Sequence, residues 1–183
     1  MNSVFVAGSR EVSRLNPQIR ERLDKILKQN LTVLIGDANG ADKAIQKHLA
    51  KNRYPKVEVY CMEVCRNNIG NWQIHRHVAR PGSKRDRHYY GIKDLAMAEE
   101  ADCGFMLWDG KSKGTHTNIV NLLKLGKKAL IYLFPKKQFF KLGSIEDFQR
   151  VLVASGIANI SEILDSPDAP KSVSDNLPFN TSG

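Results

Sequence analysis

The sequence predicts an α/β protein built on a parallel sheet of about five strands with helices on both faces. Three observations carry this. Short apolar runs of strand length alternate five times with segments of helical period. No obvious hairpin joins consecutive runs, so helical crossovers connect parallel strands. The turns after the first, second and fourth strands each place glycine beside polar residues, at the strand ends where open sheets of this type bind ligands.

The first strand is Ser3 to Gly8, running into Gly8-Ser9-Arg10. Asn16-Pro17 then reads as a helix start, a capping residue followed by proline at the first helical position. Ile19, Leu23, Ile26 and Leu27 give this helix one apolar stripe. The second strand, Leu31 to Ile35, breaks into Gly36-Asp37-Ala38-Asn39-Gly40-Ala41-Asp42. The helix that follows sets Ala41, Ala44, Ile45, His48 and Leu49 on one side. Val57 to Met62 forms the third strand. Residues 63–83 are irregular, and a third helix is expected from about Lys84 to Glu100. Cys103 to Trp108 is the fourth strand, and Ala129 to Phe134 the fifth. Ser144 to Ser155 reads as helical. From Asp165 onward no apolar period survives, which predicts a single domain over residues 1–164 and a flexible tail over 165–183.

The fourth strand opens into Asp109-Gly110-Lys111-Ser112-Lys113-Gly114-Thr115, with Ile119, Leu122 and Leu123 at helical spacing beyond it. The first amides of a helix have no intrahelical partner and the helix dipole is positive there, so this loop is a seat for an anion. Gly110 and Gly114 allow close approach of backbone, and Ser112 and Thr115 add hydroxyl donors. At the first turn Ser9 offers a hydroxyl and Arg10 a two-point phosphate clamp. In the second, Gly40 and the amides after it face the same kind of ligand. Asp37 or Asp42 can accept from a sugar or base, although Asp42 also suits a helix N-terminus electrostatically. Arg85-Asp86-Arg87 brings further positive charge near the third helix start. The second turn is neither a nucleoside-triphosphatase P-loop nor the dinucleotide fingerprint.

The formal charge of +9, from 28 basic and 19 acidic residues, favours anionic partners without choosing among them. Most of the lysines fall on polar helix faces. Three cysteines do not make a disulfide framework, and no leader is apparent, so a cytoplasmic location is expected. No apolar run reaches the roughly 20 residues of a membrane helix, and no membrane partner is expected. Cys61, Cys65, His75 and His77 have spacings that fit structural zinc modules poorly, so no metal is expected. No cofactor is expected either.

Val6-Ala7-Gly8-Ser9-Arg10, the Gly36–Asp42 turn, Arg85-Asp86-Arg87 and Trp108-Asp109-Gly110-Lys111-Ser112-Lys113-Gly114-Thr115 together resemble the SLOG superfamily. This is the group that contains DNA-processing protein A and the lonely-guy phosphoribohydrolases. The resemblance runs from about residue 3 to 134 and is nearest to small stand-alone members. It implies a Rossmann-like three-layer sandwich that binds nucleotides or nucleotide-derived ligands. Gly8, Ser9 and Arg10 would form the first ligand loop. Gly36, Asp37, Gly40 and Asp42 would form the second, and Trp108, Asp109, Gly110, Ser112, Gly114 and Thr115 the phosphate loop, with Arg85 and Arg87 adding charge. Enzymes of the group carry a glutamate separated from Gly-Thr by two residues; here that place is Asn118. An amide cannot serve as a carboxylate nucleophile or base, which moves weight from N-glycosidic cleavage to binding.

The leading expectation is therefore nucleotide binding. One alternative is a nucleoside or nucleotide N-glycosidic hydrolase or transferase, with Asp37, Asp42 or Asp109 as the catalytic carboxylate. The other is a DNA- or RNA-binding protein, although no nucleic-acid module is recognisable. Relatives often pair, so a homodimer stays open.

Overall fold

The computed structural model describes residues 2–157. The domain boundary expected at residue 164 and the tail expected beyond it lie outside these residues. The elements are β1 (Ser3–Gly8), α1 (Pro17–Lys28), β2 (Thr32–Gly36), α2 (Ala41–Lys51), β3 (Val57–Cys61), β4 (Gln73–Arg76), α3 (Arg87–Glu100), β5 (Cys103–Trp108), α4 (Lys113–Lys124), β6 (Lys128–Leu133), β7 (Gln138–Leu142) and α5 (Ile145–Ser155). They form one seven-stranded sheet in the order β4-β3-β2-β1-β5-β6-β7. Every neighbouring pair is parallel except β6 with β7.

The expected count of about five strands is thus corrected to seven, and both additions have a physical reason for escaping notice. β4 is a four-residue edge strand with a single aliphatic residue, Ile74. It lies in the stretch read as irregular and extends the sheet beyond β3, where His75 stacks on Tyr60 with ring centroids 4.6 Å apart. β7 forms the hairpin that was not expected. Its turn is a single 3-10 turn, Phe134–Lys136, closed by Lys137 in the left-handed region at φ 49°. Asn-Gly and Asp-Gly turns announce hairpins, whereas a lysine in this conformation does not.

Alternation along β1 divides the core into two layers. Val4 and Val6 face α1 and α2, packing with Ile19, Leu23, Ile45 and Leu49. Phe5 and Ala7 face the other side, with Met97, Ile119, Leu122 and Phe148 from α3, α4 and α5. Side chains cap the starts of α1, α3, α4 and α5. Asn16 accepts from the Ile19 amide at 2.9 Å with Pro17 at the first helical position, and Ser144 forms a capping box with Asp147. The third helix begins at Arg87, later than the expected Lys84, because the Asp86 side chain caps it by accepting from the Tyr89 amide.

From β1 the chain adds β2, β3 and β4 outward on one side, then returns to lay β5 on the other flank of β1. The order reverses between β1 and β5. Helices leaving on opposite faces of the sheet open a crevice at the C-terminal ends of these two strands.

Candidate functional site

Gly8 ends β1 opposite Leu107 of β5, so β1 and β5 deliver their turns side by side. Ser9 staples them. Its amide donates to the Leu107 carbonyl at 2.9 Å, and its hydroxyl donates to Asp109 Oδ2 at 2.7 Å. Its own carbonyl accepts from the amides of Val12 and Ala41, both at 3.1 Å, which ties in the turn after β2. Three turns distant in sequence are therefore bonded into one unit around a residue only 1% exposed.

Close packing fixes the glycines of the first two turns. A Cβ on Gly8 would lie 2.6 Å from the Leu107 carbonyl oxygen and 2.8 Å from the Ala41 Cβ. Gly40 has φ +82°, and a Cβ there would lie 2.2 Å from the Arg10 carbonyl oxygen. At Gly36 a Cβ would meet Asp42 Oδ2 at 2.4 Å and Lys93 Nζ at 2.8 Å. Gly114 differs from all of these. A Cβ there would meet nothing within 4 Å, and the residue lines an open space.

That space is a cavity of about 650 Å³ lined by the first turn, the first turn of α4 and one face of α3. Of the expected residues, Gly8, Ser9, Arg10, Asp42, Arg85, Arg87, Asp109, Ser112, Gly114 and Thr115 line it. Gly36, Asp37, Gly40, Trp108 and Gly110 are not among its lining residues. Trp108 is fully buried against His116 and Phe148, and its indole donates to the Ser112 carbonyl at 3.1 Å. Its contribution is to hold the loop from below. Gly110 turns the loop at φ +78°.

Several polar groups expected to meet a ligand are already engaged within the protein. The Ser9 hydroxyl has one proton, and Asp109 takes it. Asp109 Oδ1 accepts from the amides of Lys111 and Ser112 at 3.0 and 2.7 Å. Burial alone would raise its pKa, but these three donors hold the carboxyl below its ordinary range. Ser112 caps α4: its Oγ accepts from the Thr115 amide and lies 3.1 Å from the Thr115 hydroxyl. What remains for an anion at this end are the amides at the start of α4, with no acceptor inside their own helix, and the guanidinium of exposed Arg10.

The cavity is also lined by residues that the sequence did not single out. Arg66, from the stretch after β3, clamps Asp37 in two-point fashion, Nε to Oδ2 at 3.0 Å and Nη2 to Oδ1 at 2.6 Å. Its amide also donates to Oδ2 at 3.0 Å. Burial opposes ionisation of Asp37, yet these bonds and the Lys93 charge hold its carboxyl below the usual range. Arg66 and Arg10 both lie over the Tyr90 ring, at 4.6 and 5.5 Å from its centroid.

Lys93 is 3% exposed and sits 2.7 Å from Asp94 Oδ1 and 3.9 Å from Asp37 Oδ1. Burial works against its charge, but the carboxylates of Asp94, Asp42 and Asp37 outweigh burial and raise its pKa. Asp94 Oδ2 accepts from the Asn118 amide at 3.3 Å. Asp42, 5% exposed, accepts only from the Ala38 amide at 3.2 Å among the described residues, and burial pushes its carboxyl up to about 7. One signal in the sequence could have found Lys93. It falls on the buried stripe Tyr89, Lys93, Met97 of α3, where a lysine is out of place unless carboxylates surround it.

Among the expected catalytic carboxylates, Asp37 and Asp109 are fully bonded and Asp42 alone keeps an open oxygen toward the cavity. Among the described residues no group of three or more histidine, cysteine or acidic side chains is arranged to hold a metal ion. No helix among them is long and apolar enough to cross a membrane.

No protein-family model and no curated protein matches the chain. Among solved structures, it is similar to DNA processing protein A from Helicobacter pylori, a structure described for its single-stranded DNA binding mode. The TM-score is 0.54 at 15% identity, over 88% of this chain and 76% of that one. At this identity the likeness speaks for architecture alone: the chain has a Rossmann-like α/β fold of the kind seen in DNA processing protein A.

Proposed function

We infer that the protein binds a nucleotide or nucleotide-derived ligand whose phosphate rests on the first turn of α4 beside Arg10. The observation that carries this reading is Gly114. It stands at a helix start, lines the cavity, and has open space where a side chain would be. Close contacts account for the bareness of Gly8 and Gly40, and none do for Gly114, which alone of the neighbour-free glycines among the described residues lines the cavity. The charge distribution supports the same reading. Arg10, Arg85, Arg87 and Lys111 line the cavity near solvent, while Asp42 and Asp94 line its buried part. A ligand that is anionic at one end and rich in hydrogen-bond donors at the other matches this polarity. Isothermal titration against a panel of nucleotides and ADP-ribose derivatives tests the reading. Micromolar to millimolar binding lost in Arg10→Ala is expected, and no binding by the folded protein to any of them refutes it.

A second reading, single-stranded DNA binding, is favoured by the similarity to DNA processing protein A and by the net positive charge. It predicts affinity for an oligonucleotide that falls steeply with salt as counterions are released. Fluorescence anisotropy of a labelled oligothymidylate at two salt concentrations measures this. Absence of binding at low salt sets the reading aside.

A further inference from the structure

We propose that Asp42 and Asp94, both beside the Lys93 ammonium, form a subsite for vicinal hydroxyls that selects ribonucleotides over their 2′-deoxy counterparts. The proposal rests on the nucleotide reading and deepens it.

Two independent observations lead here. The first is an open acceptor: Asp42 is 95% buried, lines the cavity, and has one oxygen without a hydrogen bond among the described residues. This oxygen is not among the fully buried unpartnered side-chain atoms, so it is reached from the cavity. The second is the way Asp94 is held. Lys93 fixes one of its oxygens and the Asn118 amide the other, yet its side chain remains 21% exposed and lines the same cavity. Each carboxylate oxygen has a second lone pair, so both bonds leave acceptor capacity facing the ligand.

The arrangement is specific to this pair. Asp37 lies in the same cluster but is excluded, since it is 1% exposed, does not line the cavity, and gives both oxygens to Arg66. Gly36 makes the cluster feasible, because any side chain there would fill the space that the Asp42 carboxylate and the Lys93 ammonium share. With Asp42 ionised, the three carboxylates exceed the charges of Lys93 and Arg66 by one. That imbalance favours a donor-bearing neutral group and disfavours an acceptor. Hydroxyl donors on adjacent carbons fit two acceptors flanking one cation, whereas a 2′-deoxy sugar leaves one acceptor unmet. The phosphate reaches the α4 amides and Arg10, which line the same cavity.

The experiment is isothermal titration at pH 8 with the four ribonucleoside 5′-monophosphates and their four 2′-deoxy counterparts. Wild type, Asp42→Asn and Asp94→Asn are compared, with thermal unfolding to verify that each variant is folded. We expect at least one ribonucleotide to bind about tenfold more tightly than its deoxy partner, the worth of one charge-assisted hydrogen bond. In the variant that lacks the acceptor of the 2′-hydroxyl, Asp42→Asn or Asp94→Asn, that ratio falls toward one, while the other variant weakens both members of the pair. Equal affinity within every pair overturns the subsite and leaves the phosphate reading standing. So does a preference that survives both substitutions. Failure of all eight to bind overturns the subsite and the nucleotide reading together.

Discussion

Gly114→Ala separates a structural glycine from one kept bare for a ligand. The position is the second residue of α4, and an added Cβ meets no atom within 4 Å. The substitution therefore introduces no clash. Replacing glycine by alanine in helical conformation stabilises by about 0.5–1 kcal/mol, less near a helix end, because the unfolded chain loses freedom. For a chain of this size that is a rise of roughly 1–3 °C in Tm. The same methyl group projects into the space where a phosphate would approach the α4 amides. It should weaken nucleotide binding by tenfold or more, since lengthened amide–phosphate bonds lose most of their strength. Differential scanning calorimetry and isothermal titration read the two effects separately. A variant that is as stable as wild type and binds with unchanged affinity refutes the phosphate placement. One that unfolds several degrees earlier refutes the argument that Gly114 is free of packing demands.

Gly40→Ala should do the opposite, destabilising by about 1–3 kcal/mol through its φ of +82° and the approach to the Arg10 backbone; a urea midpoint equal to wild type contradicts this. Arg66→Ala leaves the buried Asp37 carboxylate without its main partner. Because Arg66 is itself 31% exposed and Lys93 remains nearby, a loss of about 2–3 kcal/mol is expected, below the range for a fully buried pair. Asp37 has a depressed folded pKa, so its stabilisation is present above the unfolded value of about 3.9 and fades as pH falls. The difference between wild type and Arg66→Ala should accordingly shrink in acid, and a gap that is constant from pH 7 to pH 3 contradicts the pairing. Asp42 has the reverse sign, with a folded pKa raised to about 7. The native state then binds the proton more readily than the unfolded state, and this group's contribution to stability declines between about pH 4 and pH 7. Chemical denaturation across that interval should show Asp42→Asn gaining on wild type as pH rises, and parallel curves would be contrary to the account.

Much of the fold was legible because its strongest elements follow simple periods. β1, β2, β3, β5 and β6 are short apolar runs, and α1 announces itself by an Asn-Pro cap and one stripe. The edge strands were hidden because an edge needs little apolar character: β4 has only Ile74, and β7 follows a turn with no glycine or asparagine. The candidate site was legible where glycine marks a turn, at Gly8, Gly40 and Gly114. The roles of these glycines were not, since contact with Leu107 or Arg10 depends on which strands become neighbours. Ser9 and Asp109 read as ligand groups, yet they bond each other across 100 positions. The Arg66–Asp37 clamp and the Lys93–Asp94 pair were missed for the same reason. One partner of the clamp lies in the 63–83 stretch, where periodicity says nothing, and the other pair lies on a helix whose buried stripe is broken by a lysine.

The account depends most on the Arg10 turn and the start of α4 acting together on a single phosphate. The direct measurement is a ¹⁵N-resolved NMR titration of the assigned protein with AMP and with ADP-ribose. The account predicts saturable shifts concentrated in the amides of Lys113 and Gly114 and in the Arg10 guanidinium, with one shared dissociation constant. Shifts confined to the opposite edge of the sheet, or none at these positions under saturating ligand, would contradict it.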